Sequence, residues 1–82
     1  MSATELASQC QRLATLFRLG MHTQGAMDML STLEALPAVV PAEHAPMLAQ
    51  YLQQMLDCQQ RQDWLGLADF FDYELMTLLA PQ

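Results

Sequence analysis

The stretch from Ser2 to Gly20, SATELASQCQRLATLFRLG, carries the signals for both ends of a helix. Ser2 and Glu5 have the spacing of a capping box, in which each side chain accepts a hydrogen bond from the backbone N–H of the other residue. Gly20 stands where a glycine commonly follows the last turn of a helix. Between these ends, apolar residues recur every three or four positions, which is the period of a helix with one buried face. We expect a first helix over residues 3–19, with its buried stripe at Leu6, Cys10, Leu13 and Phe17.

The same period predicts a second helix, capped by Thr23 and ended at Leu36 by Pro37. Three prolines within the ten residues Pro37–Pro46 favour an extended linker, because each disfavours helix at the residue before it. The expected inner face of this helix consists of Ala26, Met29, Leu30, Leu33 and Leu36, and its outer face of Gln24, Asp28, Ser31, Thr32 and Ala35.

A third helix is expected to begin at Pro46, since proline is well tolerated in a first helical turn. A fourth is expected from the cap Asp63 to about Leu79. Their inner faces are predicted at Leu48, Leu52 and Met55, and at Trp64, Leu67, Ala68, Phe71, Leu75 and Leu78.

Short turns within each pair of helices predict two antiparallel αα-hairpins, joined by the proline-rich linker. The 82 residues suit one all-α domain, 1–82, of four helices. The pattern Gln62-Asp63-Trp64-x-x-Leu67 and the spacing Ala26…Leu30…Pro37 resemble the second helix of a tetratricopeptide unit. That resemblance implies that the hairpins stack as repeats, while a bundle is the other arrangement open to them.

Composition bounds the classes of function. Nine acidic residues against three arginines give a net charge of −6 and a pI of about 4.3. Binding to nucleic acid is not expected, since the chain has no lysine clusters to neutralise phosphates. No stretch offers the roughly 20 apolar residues of a membrane span, and an acid near the N-terminus stands where a signal peptide carries positive charge. We expect a cytoplasmic protein.

Groups that carry chemistry are few. Cys10 and Cys58 lack metal-ligand spacing and are expected to be buried free thiols, and His22 and His44 fall in predicted loops. No metal, cofactor or catalytic residue is therefore predicted. Asp69 and Asp72 form the one carboxylate pair, which we interpret as part of a solvated acidic face.

The fourth helix is apolar on a second side as well, where Gly66, Phe70, Tyr73 and Thr77 would align in a regular helix. So small a domain buries only about 60% of its unfolded surface, yet 52% of the residues are hydrophobic. A surplus of apolar side chains with acidic residues around it is typical of an interface. The residues predicted to contact a partner are Leu65, Asp69, Phe70, Tyr73, Glu74, Met76 and, because exposed methionines adapt to varied surfaces, Met27.

The sequence thus predicts a non-enzymatic protein–protein interaction module: an adaptor, a small chaperone-like protein or an antagonist. Its partner would be another polypeptide with a basic surface, or a second copy bound through the fourth helix as a homodimer. Two alternatives remain open at this point. In the first alternative, the chain is a structural subunit of a larger assembly. In the second, it is a small enzyme or cofactor-binding bundle that uses Asp69 and Asp72.

Overall fold

A computed structural model describes residues 2–79, which form four helices and no strand. The all-α prediction is therefore confirmed for this part of the chain. The helices are α1 (Ala3–Arg18), α2 (His22–Val39), α3 (Ala45–Gln60) and α4, which runs as α-helix over Trp64–Asp69, as π-helix over Phe70–Glu74 and again as α-helix over Leu75–Leu79.

Both ends of α1 follow the sequence signals. The backbone N–H of Glu5 donates to Ser2 Oγ at 3.2 Å, and the N–H of Ser2 donates to Glu5 Oε1 at 3.3 Å, which completes the capping box. Gly20 has φ +79°, and the N–H of Met21 donates to the Leu16 carbonyl at 2.9 Å, as in a Schellman motif. The turn that joins α1 to α2 is therefore fixed by local hydrogen bonds.

The turn between α3 and α4 repeats this geometry without a glycine. The N–H of Asp63 donates to the Cys58 carbonyl at 2.8 Å, and Gln62 adopts φ +58° at the position equivalent to Gly20. The Asp63 side chain then accepts from the N–H of Gly66 at 3.0 Å, so the predicted cap of α4 is confirmed. The two helix–helix turns are therefore of one type.

The start of α2 and its passage through Pro37 differ from the prediction. Met21, not Thr23, precedes the first helical residue, because the Schellman turn already directs the chain into the helix. Pro37 lies inside α2, which continues to Val39, and the N–H of Val40 still donates to the Leu36 carbonyl at 2.9 Å. In the last turn a proline removes only one hydrogen bond, and the helix survives that loss.

The linker is consequently shorter than the predicted segment 37–46. It consists of Val40 and Pro41, followed by a single 3₁₀ turn at Ala42–His44 that leads directly into α3. Pro46 occupies the first turn of α3, where its missing N–H has no helical partner to lose.

The helices are arranged around α1 and α4. α1 packs against α2 on one side and α4 on the other, and α3 packs mainly against α4. Contact between the first and last helices closes the chain on itself, which is the arrangement of a bundle rather than of stacked repeats. α2 and α3 are therefore outer helices, each supported mainly by one neighbour.

Aromatic rings stack in a column where the helices meet. Phe17 lies between Trp64 and Phe71, with ring centroids 5.7 and 6.1 Å away, and His22 covers Trp64 at 4.5 Å. The nearly parallel rings join the end of α1, the start of α2 and the first half of α4. This column anchors the core at the end of the molecule that carries the two turns.

The face of α2 that meets α1 is rotated from the predicted one. Its buried residues are Gly25, Met29, Thr32 and Leu36, whereas Leu30, predicted as core, is 62% exposed. Thr32, predicted as exposed, can be buried because its hydroxyl donates to the Asp28 carbonyl at 3.4 Å. Gly25 turns inward because Phe17 packs against its backbone.

Candidate interaction surface

The outer side of α4 carries an exposed stripe of residues four apart, which we call the α4 stripe: Leu65, Asp69, Tyr73 and Thr77. Leu65 is 64% exposed and Tyr73 65% exposed. Both are large side chains with substantial apolar surface, and both point away from the core.

The π turn reduces the drift of the α4 stripe around the helix. In a regular α-helix, positions four apart drift by about 40° at each step, so a stripe of four would wrap around the helix. Here the N–H of Leu75 donates to the Phe70 carbonyl five residues back, and this wider turn takes up part of the drift. The predicted alignment of Gly66, Phe70, Tyr73 and Thr77 assumed a regular helix, and the observed stripe replaces its first two members with Leu65 and Asp69.

Phe70 and Met76 contribute to packing as well as to the surface. Phe70 is half-buried, with its ring edge-on to Tyr51 of α3 at a centroid distance of 6.0 Å. Met76 is half-buried against the core. Of the predicted contact residues on α4, these two therefore lie beside the α4 stripe rather than on it.

Asp69 and Asp72 are brought together with a cation that is distant in sequence. Arg18 of α1 reaches both carboxylates: its Nη2 donates to Asp69 Oδ1 at 3.1 Å and its Nη1 donates to Asp72 Oδ2. The hydrogen bond that Arg18 donates to Asp72 comes first among the causes that raise the pKa of Arg18, followed by the one that it donates to Asp69. These acids act as a clamp between α1 and α4, and the ion pair reduces the negative charge that Asp69 offers to a partner.

Asp72 also acts on a buried thiol. Burial in the core, and then the negative charge of Asp72, raise the pKa of Cys10 to about 11. A thiol with so high a pKa stays protonated and unreactive near neutral pH. The prediction that both cysteines are buried and free is confirmed.

Among the residues that the structure describes, Glu74 is the acid of α4 without a partner. Its Oε2 is buried and accepts no hydrogen bond within residues 2–79. The three arginines are engaged elsewhere: Arg12 with Asp28, Arg18 with the clamp, and Arg61, just after α3, with the carbonyl of Asp57. A buried carboxylate oxygen without a donor lowers the stability of the folded protein.

Met27 lies apart from the α4 stripe. It is 70% exposed on the outer side of α2, beside Leu30, whereas α4 packs against α1. The structure therefore separates the predicted contact residues into two surfaces. The sequence analysis did not predict that Leu30 is exposed. The spacing of Gly25, Met29, Thr32 and Leu36 is an equally regular helical stripe, and it would have indicated the observed orientation of α2.

No second arrangement of chemical groups emerges from residues 2–79. An open groove along the first half of α1 is lined by polar side chains, among which Glu5 belongs to the capping box and Arg12 pairs with Asp28. Within the described range, no three His, Cys, Asp or Glu side chains converge as metal ligands. Nor does any helix there combine the length and the hydropathy needed to cross a membrane.

Comparison of the chain with protein-family models, with curated proteins and with solved structures gave no match. The interpretation of the α4 stripe therefore depends on its geometry and chemistry alone.

Proposed function

We propose that this chain is a non-enzymatic protein-binding module that contacts another polypeptide through the α4 stripe. The observation that carries the proposal is the exposure of Leu65 and Tyr73 on one side of α4, at 64% and 65%, although the opposite side of the same helix forms the core. A helix with apolar residues on two sides is expected to be covered on both.

The stripe has the chemistry of an interface. Tyrosine offers a large, rigid contact surface with a polar tip, and is enriched where proteins meet. Between Tyr73 and Leu65 lies Asp69, which already pairs with Arg18, so the middle of the stripe presents an ion pair rather than an isolated charge. Partner atoms packed on the two large side chains would exclude water from that pair.

The charge of the chain favours a basic partner. A net charge of −6 attracts cationic proteins over a distance. A second copy on the α4 stripe would instead bring the Asp69 and Asp72 clusters of two acidic chains together. We therefore assign the stripe to a different protein, for which this chain serves as an adaptor, a chaperone-like factor or an antagonist.

Site-specific photo-crosslinking in the cells that make the protein tests this proposal. A photoreactive phenylalanine analogue replaces Tyr73 or Leu65, and in the matched control it replaces Gln53, which is exposed on the polar side of α3. We expect positions 73 and 65 to yield the same heterologous adduct and position 53 to yield none. The crosslinked segment should contain lysine or arginine.

Equal adducts at positions 53 and 73, or none at 65 and 73, would contradict the assignment of the surface. Copurification of the same partner in one fixed stoichiometry without irradiation would identify the chain as a structural subunit of a larger assembly instead of a transient binder.

A further inference from the structure

The π turn of α4, Phe70–Glu74, interrupts a helix whose apolar residues follow a regular α-helical period. Such turns are rare, and they usually occur singly inside an α-helix, often where a function depends on them. Four buried apolar side chains of α4 are spaced by four, four and three residues: Leu67, Phe71, Leu75 and Leu78. A regular α-helix would direct the same four side chains into the core. Their burial therefore does not explain the π turn.

The π turn also ends at an unfavourable group. Glu74 Oε2 is buried and accepts no hydrogen bond within residues 2–79. A buried oxygen without a donor destabilises the conformation that contains it. An interaction outside the apolar core must therefore favour the observed arrangement of α4, which we call the π register.

Arg18 supplies that interaction. Within residues 2–79, it makes the only side-chain hydrogen bond that reaches the π turn from another helix: its Nη1 donates to Asp72 Oδ2. Its Nη2 donates at 3.1 Å to Oδ1 of Asp69, just before the turn. One planar guanidinium thus fixes the two carboxylates relative to each other. Most exposed ion pairs contribute little, but a bridging arginine is an exception, and the Asp72 side chain is only 23% exposed.

We propose that the clamp formed by Arg18, Asp69 and Asp72 holds α4 in the π register, and that α4 becomes a regular α-helix when the clamp is broken. In the regular register the N–H of Leu75 donates to the carbonyl of Phe71 instead of that of Phe70. Asp72 then turns relative to Asp69, away from the orientation that one guanidinium can bridge.

The register of α4 determines the shape of the α4 stripe. Leu65 and Tyr73 are eight residues apart, so they would lie about 80° apart around a regular helix. The π turn takes up part of that angle. Trp64 holds the first half of α4 in the aromatic column, so the half that rotates is the one after the π turn. Breaking the clamp therefore moves Tyr73 away from Leu65, and Arg18 is a positioning residue for the surface. Only the effect on a partner rests on the proposed function.

NMR scalar couplings across hydrogen bonds measure the register on the full, isotope-labelled chain. In the wild type we expect a coupling between the Leu75 nitrogen and the Phe70 carbonyl carbon. In Arg18→Met this coupling should be lost and replaced by one to the Phe71 carbonyl carbon, because methionine keeps an unbranched stem but forms no ion pair. The matched control Arg12→Met removes an exposed ion pair between α1 and α2, and should keep the wild-type coupling.

Asp72→Ala is a second variant, in which α1 is unchanged. It removes the acceptor inside the π turn, so the coupling should move from Phe70 to Phe71 as in Arg18→Met. Circular dichroism verifies that each variant is folded, and Asp72→Ala decides the outcome if Arg18→Met unfolds. Persistence of the Phe70 coupling in the folded variants would overturn the proposal. A Phe71 coupling in the wild type, or in Arg12→Met as well as Arg18→Met, would overturn it too.

Photo-crosslinking in the Arg18→Met background tests the consequence for the surface. The yield of the heterologous adduct should fall at position 73 and persist at position 65, because only the second half of α4 rotates. Equal yields at the two positions would contradict this rotation. A lack of adducts in the wild-type background would instead contradict the proposed function alone, since the scalar couplings report the register without any partner.

Discussion

The ring of Phe17 occupies the space that a side chain at position 25 would need. A Cβ on Gly25 would come within 2.9 Å of ring atoms Cε1 and Cζ of Phe17. The Phe17 ring is itself held between Trp64 and Phe71, so it has little room to retreat. This contact determines which side of α2 faces α1, and thereby leaves Met27 and Leu30 outside.

Gly25→Ala is expected to lower the free energy of unfolding by about 1–3 kcal/mol, because the added methyl group forces the aromatic column apart. Helix propensity alone predicts the opposite, since alanine is better than glycine by about 1 kcal/mol inside a helix. Urea denaturation followed by circular dichroism measures the change, with Thr23→Ala on the exposed side as the control. A more stable Gly25→Ala protein would show that Phe17 does not pack as described.

Gln62→Gly is expected to stabilise the protein by roughly 0.5–1 kcal/mol. Gln62 holds φ +58° in a turn that matches the one at Gly20, and only glycine adopts this conformation without steric cost. The reciprocal variant Gly20→Gln should be destabilised by a similar amount. Thermal unfolding of the two variants beside the wild type gives both signs in one experiment, and changes of the same sign would be inconsistent with equivalent turns.

Alkaline pH should destabilise the wild type through Cys10. The pKa of Cys10 is raised to about 11 in the folded protein, above its value in the unfolded chain, so this group's contribution is complete below about pH 9 and is lost as the pH rises towards 11. In Cys10→Ala this decrease in the free energy of unfolding towards pH 11 should be absent. The loss of the sulfur itself changes the free energy of unfolding equally at every pH, so it does not affect the comparison. Urea midpoints from pH 7 to 11 provide the comparison, and parallel curves for the two proteins would rule out the effect.

Phe70 and Tyr73 should respond differently to the same substitution. Tyr73→Asp changes an exposed side chain and should alter the free energy of unfolding by no more than about 0.5 kcal/mol. Phe70→Asp places a charge against Tyr51 in the contact between α3 and α4, and should cost about 2–4 kcal/mol. Chemical denaturation distinguishes the two. A Tyr73→Asp protein as unstable as Phe70→Asp would mean that the α4 stripe belongs to the core.

The positions of the helices were predictable because their signals are local. The capping box at Ser2, the glycine at Gly20 and the cap at Asp63 each act within a few residues, and the structure places all three as expected. The prediction at Pro37 was wrong because it also used only a local signal. A proline favours the end of a helix, but in the last turn of α2 it removes only one hydrogen bond, and the helix continues to Val39.

The candidate surfaces were only partly predictable. Leu65 and Tyr73 lie exposed, but the sequence could not reveal that Arg18, 51 residues before Asp69 and 54 before Asp72, pairs with both acids. Nor could it reveal the π turn at Phe70–Glu74, since a helix of regular period was the simplest interpretation of the apolar spacing.

Four amphipathic helices joined by short turns follow from the amino-acid sequence alone, because capping, turn chemistry and hydrophobic period depend on neighbours along the chain. The rotation of each helix, and the set of side chains that remain exposed, depend instead on contacts between helices. Such contacts join residues that are distant in sequence, for example Phe17 with Gly25 and Arg18 with Asp72. Their packing and charge interactions select between two helical stripes that differ by only one position and that the sequence pattern alone does not distinguish.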